Sequence, residues 1–383
     1  MKRALLASLA VLASFVPGCA TDPASTAVEK MTVYIGSYAD ATADGIHQFT
    51  LDVGTGALTK AGGTSGVANP SFVAISPDHK YLYAIGEVGS FNGKKGGAVS
   101  SFSIDGKSGA LTLINQQSSG GDGPCFITAD RAGKCVLVAN YGGGSVESIP
   151  VSEGKLGEPG SFIQHQGSSV NKSRQGEPHA HSINVSPDNR FAFAADLGLD
   201  KILVYKLDAE KGALTPNDPP FAEIPPGSGP RHFAFHPSGK FAYVCGEMTS
   251  TVHVMTYDPD KGVLKVVQSL STLAEPVKGN STAECQVHPS GKWVYVSNRG
   301  HDSVAVFKVD EATGHLTAAG HQSTGGKVPR NFGIDPTGKF LIAANQNSNN
   351  VVVFAIDEKT GLPKPTGHEV QVPKPVCVKF LAP

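Results

Sequence analysis

A phrase repeated along the chain limits the folds it can adopt. FVAISPDHKYLYAIGE, residues 72–87, returns in degenerate form as CFITADRAGKCVLVANY (125–141), HSINVSPDNRFAFAADL (181–197), HFAFHPSGKFAYVCGEM (232–248), CQVHPSGKWVYVSNRG (285–300) and NFGIDPTGKFLIAANQN (331–347). With Pro77 as marker, the equivalents Arg131, Pro187, Pro237, Pro289 and Pro336 follow at spacings of 54, 56, 50, 52 and 47 residues. Each unit reads as an apolar strand, a Pro-x-Gly-Lys type of turn, a strand rich in aromatic and β-branched residues, an alternating third strand and, after a polar link, a fourth. Four short strands per repeat of this length describe a β-propeller blade, and no 3.6-residue period speaks for a helical solenoid. Met31–Tyr38 begins at the second strand of the pattern and Pro375–Phe380 matches the first. The two ends together complete a seventh blade, which removes an open sheet edge. The expected fold is therefore all-β, a single seven-bladed propeller over residues 31–383.

A length of 383 residues would otherwise suggest two or three domains, but propellers run long as one. The 45 glycines and 26 prolines suit a turn-rich sheet protein, and 40% hydrophobic residues suffice for a core. Thirty-two basic against 33 acidic residues leave a formal charge of −1, which argues against nucleic acid or a polybasic membrane contact as partner. No G-x-S-x-G, H-E-x-x-H or Walker A pattern occurs, against serine hydrolase, zincin and P-loop chemistry. His179 and His181 share one strand face, half of a metal site, but no third ligand stands at a diagnostic spacing, so neither metal nor cofactor is expected. Gly93–Gly97 reads as an exposed hairpin tip and Trp293 as core.

Residues 1–19 read as a signal peptide: Lys2 and Arg3, then an apolar run from Ala4 to Val16 too short to span a bilayer. The segment ends Val16-Pro17-Gly18-Cys19, similar to a bacterial lipobox, which makes Cys19 a lipidation candidate and residues 20–30 a flexible tether. The plainer alternative is an ordinary secretory signal. Either way the expected location is outside the cytoplasm, periplasmic or as an outer-membrane or cell-surface lipoprotein, touching membrane only through a lipid. Five cysteines remain, Cys125, Cys135, Cys245, Cys285 and Cys377; they read as small buried hydrophobes.

Repeat register also nominates a site, because equivalent positions of a propeller's inner strands converge at the channel mouth. Six residues before the marker stand Ser71, Cys125, His181, Arg231, Ala283 and Arg330; ten after it stand Glu87, Tyr141, Leu197, Glu247, Arg299 and Gln346, with Tyr38 as the first-blade equivalent. Polar residues at strand ends are ordinary in a wet channel. Two arginines and a glutamate at inward register are costly unless paired, however, which favours function.

Pro178-His-Ala-His181, Gly229-Pro-Arg-His232, Gly246-Glu247, Ser297-Asn-Arg299 and Tyr34-Ile-Gly-Ser-Tyr38 resemble motifs of the seven-bladed propeller lactonases, which include 6-phosphogluconolactonase and a fungal carboxy-muconate lactonizing enzyme. The resemblance covers nearly all of residues 31–383 and implies a hydrolase acting on a small lactone of a sugar or sugar acid; a monomer is the expected state. It places the catalytic set on His181, with His179 as the alternative, Arg231, Glu247 and Arg299; His181 and the other three are also the four that repeat register selects. Tyr38, Glu87, Tyr141, His179, His232, Arg330 and Gln346 are the candidate substrate contacts. A guanidinium can stabilise the oxyanion formed when water attacks the lactone carbonyl, and a carboxylate or imidazole can take the water's proton. Glu247 and His181 both fit as base. The alternative, suggested by the leader and by strands similar to the YVTN repeat of surface-layer proteins, is a non-catalytic surface propeller that binds a partner.

Overall fold

The computed structural model describes residues 30–382, so Cys19 and the leader lie outside the described residues. Seven antiparallel sheets are arranged as blades. Blade 1 joins the chain ends, with Pro375–Leu381 innermost, then Lys30–Ser37, Ile46–Asp52 and Leu58–Thr64. Blades 2 to 7 follow in sequence, their innermost strands being Val73–Ile75, Pro124–Ala129, Ala180–Val185, Pro230–Phe235, Ser281–Val287 and Pro329–Ile334. Each innermost strand touches the next, and Pro375–Leu381 touches both Pro329–Ile334 and Val73–Ile75, closing the ring. The first strand begins at Lys30 and pairs with the last in register from Thr32–Leu381 to Gly36–Cys377.

The sequence of each strand follows its depth. Second strands such as Phe241–Gly246 and Phe340–Asn345 are buried throughout, because a blade on either side covers both faces. Outermost strands such as Pro363–Gln371 are mostly exposed or half-exposed. The marker turn needs a left-handed residue two places after the marker: Gly133, Gly239, Gly291 and Gly338 stand there with φ of 68°, 68°, 76° and 75°, and His79 and Asn189 take the same conformation in the other two repeats. Between blades, the buried hydroxyls of Tyr34, Tyr243 and Tyr295 donate to the carbonyls of Gly109, Gly314 and Gly361 at 2.6, 3.1 and 2.7 Å. Each hydroxyl thereby keeps a partner inside an apolar seam.

The five cysteines are free and buried, and Trp293 is core. Lys94 and Lys95 are exposed on a small hairpin paired with Ser90 and Phe91.

Candidate active site

The ladder breaks where the site forms. The pairing of inner with second strand shifts register between Pro124 and Phe126, Ala180 and Ser182, Pro230 and Phe233, Thr282 and Cys285, and Pro329 and Asn331. The residues left out are Cys125, His181, Arg231 with His232, Ala283 with Glu284, and Arg330. A bulge releases a residue from the ladder and re-aims its side chain. Repetition in five blades turns one backbone irregularity into a collar of side chains at one end of the channel.

Glu247 is the hub of that collar. It follows the second strand of blade 5 and its amide donates to Gly229 O, which sets it beside Arg231. Arg231 Nε lies 3.0 Å from Glu247 Oε2, an ion pair too far off-line to count as a hydrogen bond. Arg299 Nη2 reaches the same oxygen at 3.0 Å and Thr282 O at 2.7 Å. Arg231 Nη1 is held by Ala283 O. A third guanidinium, Arg174, reaches Glu247 Oε1 at 2.8 Å and the Tyr141 hydroxyl at 3.3 Å. Burial pushes the Glu247 carboxyl up, but Arg299, Arg231 and Arg174 outweigh it and hold it at about 2. Burial and Arg231 bring Arg299 down to about 10 against the pull of Glu247.

The other sector of the collar centres on Glu87. It accepts from the Tyr38 hydroxyl at 3.1 and 3.0 Å and from Ser71 Oγ. Arg330 stacks its guanidinium 5.8 Å from the Tyr38 ring centre. Burial, together with Glu87, raises the Tyr38 hydroxyl to about 12 against the pull of Arg330. Tyr38 and Gln346 also line a cavity of about 520 Å³ with Asn69, Asn347, Asn349 and Lys374. Gln346 thus belongs to this sector and not to the Glu247 cluster.

His181 lies between the sectors. Its Nδ1 faces Cys125 Sγ at 3.6 Å, and its ring meets Tyr141 and His232 edge-on at 5.2 and 5.4 Å. Burial, Arg231, His232 and Arg330 hold the imidazole well below its ordinary value, so it is neutral at pH 7. His179 stacks on Tyr141 at 4.6 Å and bonds its carbonyl at 3.0 Å. Both ring contacts are with Tyr141, and among the described residues no three His, Cys, Asp or Glu are grouped to hold a metal.

Three placements depart from the sequence reading. Arg231 is almost sealed, its side chain 2% exposed, and its contacts are to Glu247 and Ala283 O. His232 sits one tier below the mouth. There it bonds Glu284 Oε2 at 3.0 Å through Nδ1, packs on Phe72 and Phe126, and borders a separate cavity of about 420 Å³ with Gln286 and Lys379. Asn331 also donates to Glu284, whose other oxygen accepts the Cys285 amide at 3.0 Å. Glu284 was legible in principle, because it occupies the register position just after the first column, five residues before the marker.

The third departure is Arg174, which sequence reasoning missed because it lies in the connection between blades 3 and 4, outside the repeat. That connection is braced by Ser169 Oγ on Asp200 at 2.6 Å and by the buried Gln175, whose amide bonds Leu197 O at 2.9 Å.

The sequence matches the model of a known family. Residues 32–380 fit the family model described as "Lactonase, 7-bladed beta-propeller". The chain belongs to that family. It is 39% identical to a Bacillus subtilis protein named 6-phosphogluconolactonase, over 92% of this chain and 99% of that one. A Formosa agariphila protein of the same name is 36% identical over 79% of this chain and 86% of its own. Among solved structures, the one described as the periplasmic gluconolactonase PpgL of Pseudomonas aeruginosa superposes with a TM-score of 0.85 at 33% identity, covering 92% and 99% of the two chains. Membership makes the chain a lactone-opening carboxylic-ester hydrolase, which leaves a purely non-catalytic surface propeller without support.

Proposed function

We propose that the protein hydrolyses the lactone of a sugar or sugar acid at the Glu247 collar, with anionic lactones of the 6-phosphogluconolactone type favoured. The observation that carries this is the charge of the mouth: four guanidiniums (Arg174, Arg231, Arg299, Arg330) around two carboxylates (Glu87, Glu247). The excess of positive charge suits a substrate that brings its own anion and develops another on its carbonyl oxygen.

In this reading Glu247 takes a proton from water as the water oxygen bonds to the carbonyl carbon. Arg299 and Arg330, more open than Arg231, stabilise the oxyanion. The ring C–O bond then breaks, and the departing ring oxygen recovers the proton from Glu247, giving the open hydroxy acid. Neutral His181 and the Tyr38–Glu87 pair hold the substrate's hydroxyls by donating and accepting hydrogen bonds.

Turnover of D-glucono-1,5-lactone and its 6-phosphate by the purified protein, followed as acid release against buffer alone, tests this. Acceleration of both, larger for the phosphate ester, is expected; no acceleration of either would remove the reading. We infer further that the protein works outside the cytoplasm on a lipid at Cys19. Cys19→Ser should then shift the protein from the detergent phase to the aqueous phase, and unchanged partitioning would refute the anchor.

A further inference from the structure

Three guanidiniums on one carboxylate make a good anchor and a poor base. A carboxyl held at about 2 is far from the operating pH at which a proton acceptor works best. The three contacts are not alike, however. Arg231 and Arg299 are 2% and 13% exposed, both bind Oε2, and each is pinned by a backbone carbonyl, Ala283 O or Thr282 O. Among the described residues Arg174 alone binds Oε1, its side chain is 45% exposed, and the guanidinium's one further partner there is the Tyr141 hydroxyl at 3.3 Å. It also comes from a loop, whereas the other two come from the bulged blade framework. One contact can therefore be exchanged while the other two hold Glu247 in place.

We propose that Arg174 is a substrate-released latch: an anionic substituent on the lactone, phosphate or carboxylate, draws its guanidinium off Glu247, and the contact that recognises the substrate thereby frees Oε1 to accept the proton of the attacking water. The inference rests on the lactonase reading above and adds to it a residue that sets specificity through the base. The exchange costs little, since one charge-assisted bond replaces another of the same kind. What changes is the field at Glu247. Arg231 and Arg299 remain in contact and Arg330 remains nearby, but one of the three closest positive charges has left, so its basicity rises. A neutral lactone offers nothing for Arg174 to grasp and leaves the latch shut.

Arg174→Ala and Arg174→Lys, compared with the wild type on D-glucono-1,5-lactone and its 6-phosphate, test the latch. In Arg174→Ala, kcat/KM should fall for the phosphorylated lactone and rise for the neutral one, so that their ratio drops at least ~10-fold, the scale of a lost bond to a charged group. The acid limb of the kcat/KM profile on the neutral lactone should move up by about one pH unit, as expected when one adjacent opposite charge is removed. Arg174→Lys, which keeps the charge, should recover part of the ratio. Equal losses on both lactones, or an unchanged ratio, would overturn the latch. A wild type that turns over neither lactone would overturn the lactonase reading itself, a result visible before any variant is made.

Discussion

At the scale of single residues, Glu247 makes two separable demands. As a proton acceptor it should be irreplaceable, and Glu247→Gln is expected to lower lactone turnover at least ~100-fold. Near-normal turnover in that variant would move the base to neutral His181. As the counter-ion of sealed Arg231 and of the largely buried Arg299 it should also hold the fold together. Its carboxyl stands at about 2 against an ordinary 4.5, and each pH unit of such depression is worth about 1.4 kcal/mol, so its contribution is on the order of 3.5 kcal/mol. Because the folded value is the lower one, that stability is fully present above about 4.5 and drains away as pH falls towards about 2. Melting temperature followed from pH 6 to 2.5 should therefore fall more steeply in the wild type than in Glu247→Gln, which starts lower. Parallel curves would mean that the three arginines do not depend on the charge. Arg231 and Arg299 could be nominated from sequence because the repeat aligned them. Arg174 could not, since a loop residue outside the repeat has no register to compare, and only the folded chain brings it to Glu247.

At the scale of one element, the bulged inner strand explains both what was legible and what was not. Alignment gave the blades and two columns of residues, because strand period and turn chemistry repeat in every unit. It did not show that two residues, not one, leave the ladder in blades 5 and 6, so His232 was expected at the mouth and Glu284 was not selected. A different strand carries a cost with no role in the site. Glu147, in Ser145–Ser152 of blade 3, is buried opposite Phe162, and its Oε2 has no hydrogen-bond partner among the described residues. Burial pushes its carboxyl from 4.5 up to about 8. The native state keeps the proton that the unfolded chain releases, so this group destabilises progressively as pH rises from about 4.5 to about 8. Glu147→Met should accordingly raise the melting temperature by several degrees at pH 8.5 and by less at pH 5. An equal gain at both pH values would show that packing, not ionisation, decides the site.

At the scale of the whole molecule, closure was readable because each terminal segment carried half of a pattern seen complete elsewhere. Blade 1 depends on the last strand, whose Val376, Cys377 and Val378 are buried between Val73 and Asn331 on the neighbouring blades and whose backbone completes the sheet. A chain ending at Lys374 would expose that core and leave Lys30–Ser37 as an unpaired inner edge. It is expected to yield little soluble protein and no cooperative thermal transition, and a sharp transition near the wild-type temperature would refute closure as a condition of folding. The pairing has a mechanical side as well. Thr32 faces Leu381 and Ser37 faces Pro375, so both free ends leave blade 1 at the same edge, remote from Tyr38 and the mouth. Tension applied between the ends would load those hydrogen bonds one pair after another, as in a zipper, and never together in shear. The ring should part at this seam under small force while the other six blades stay unloaded, whereas pulling between two internal loops would meet far greater resistance.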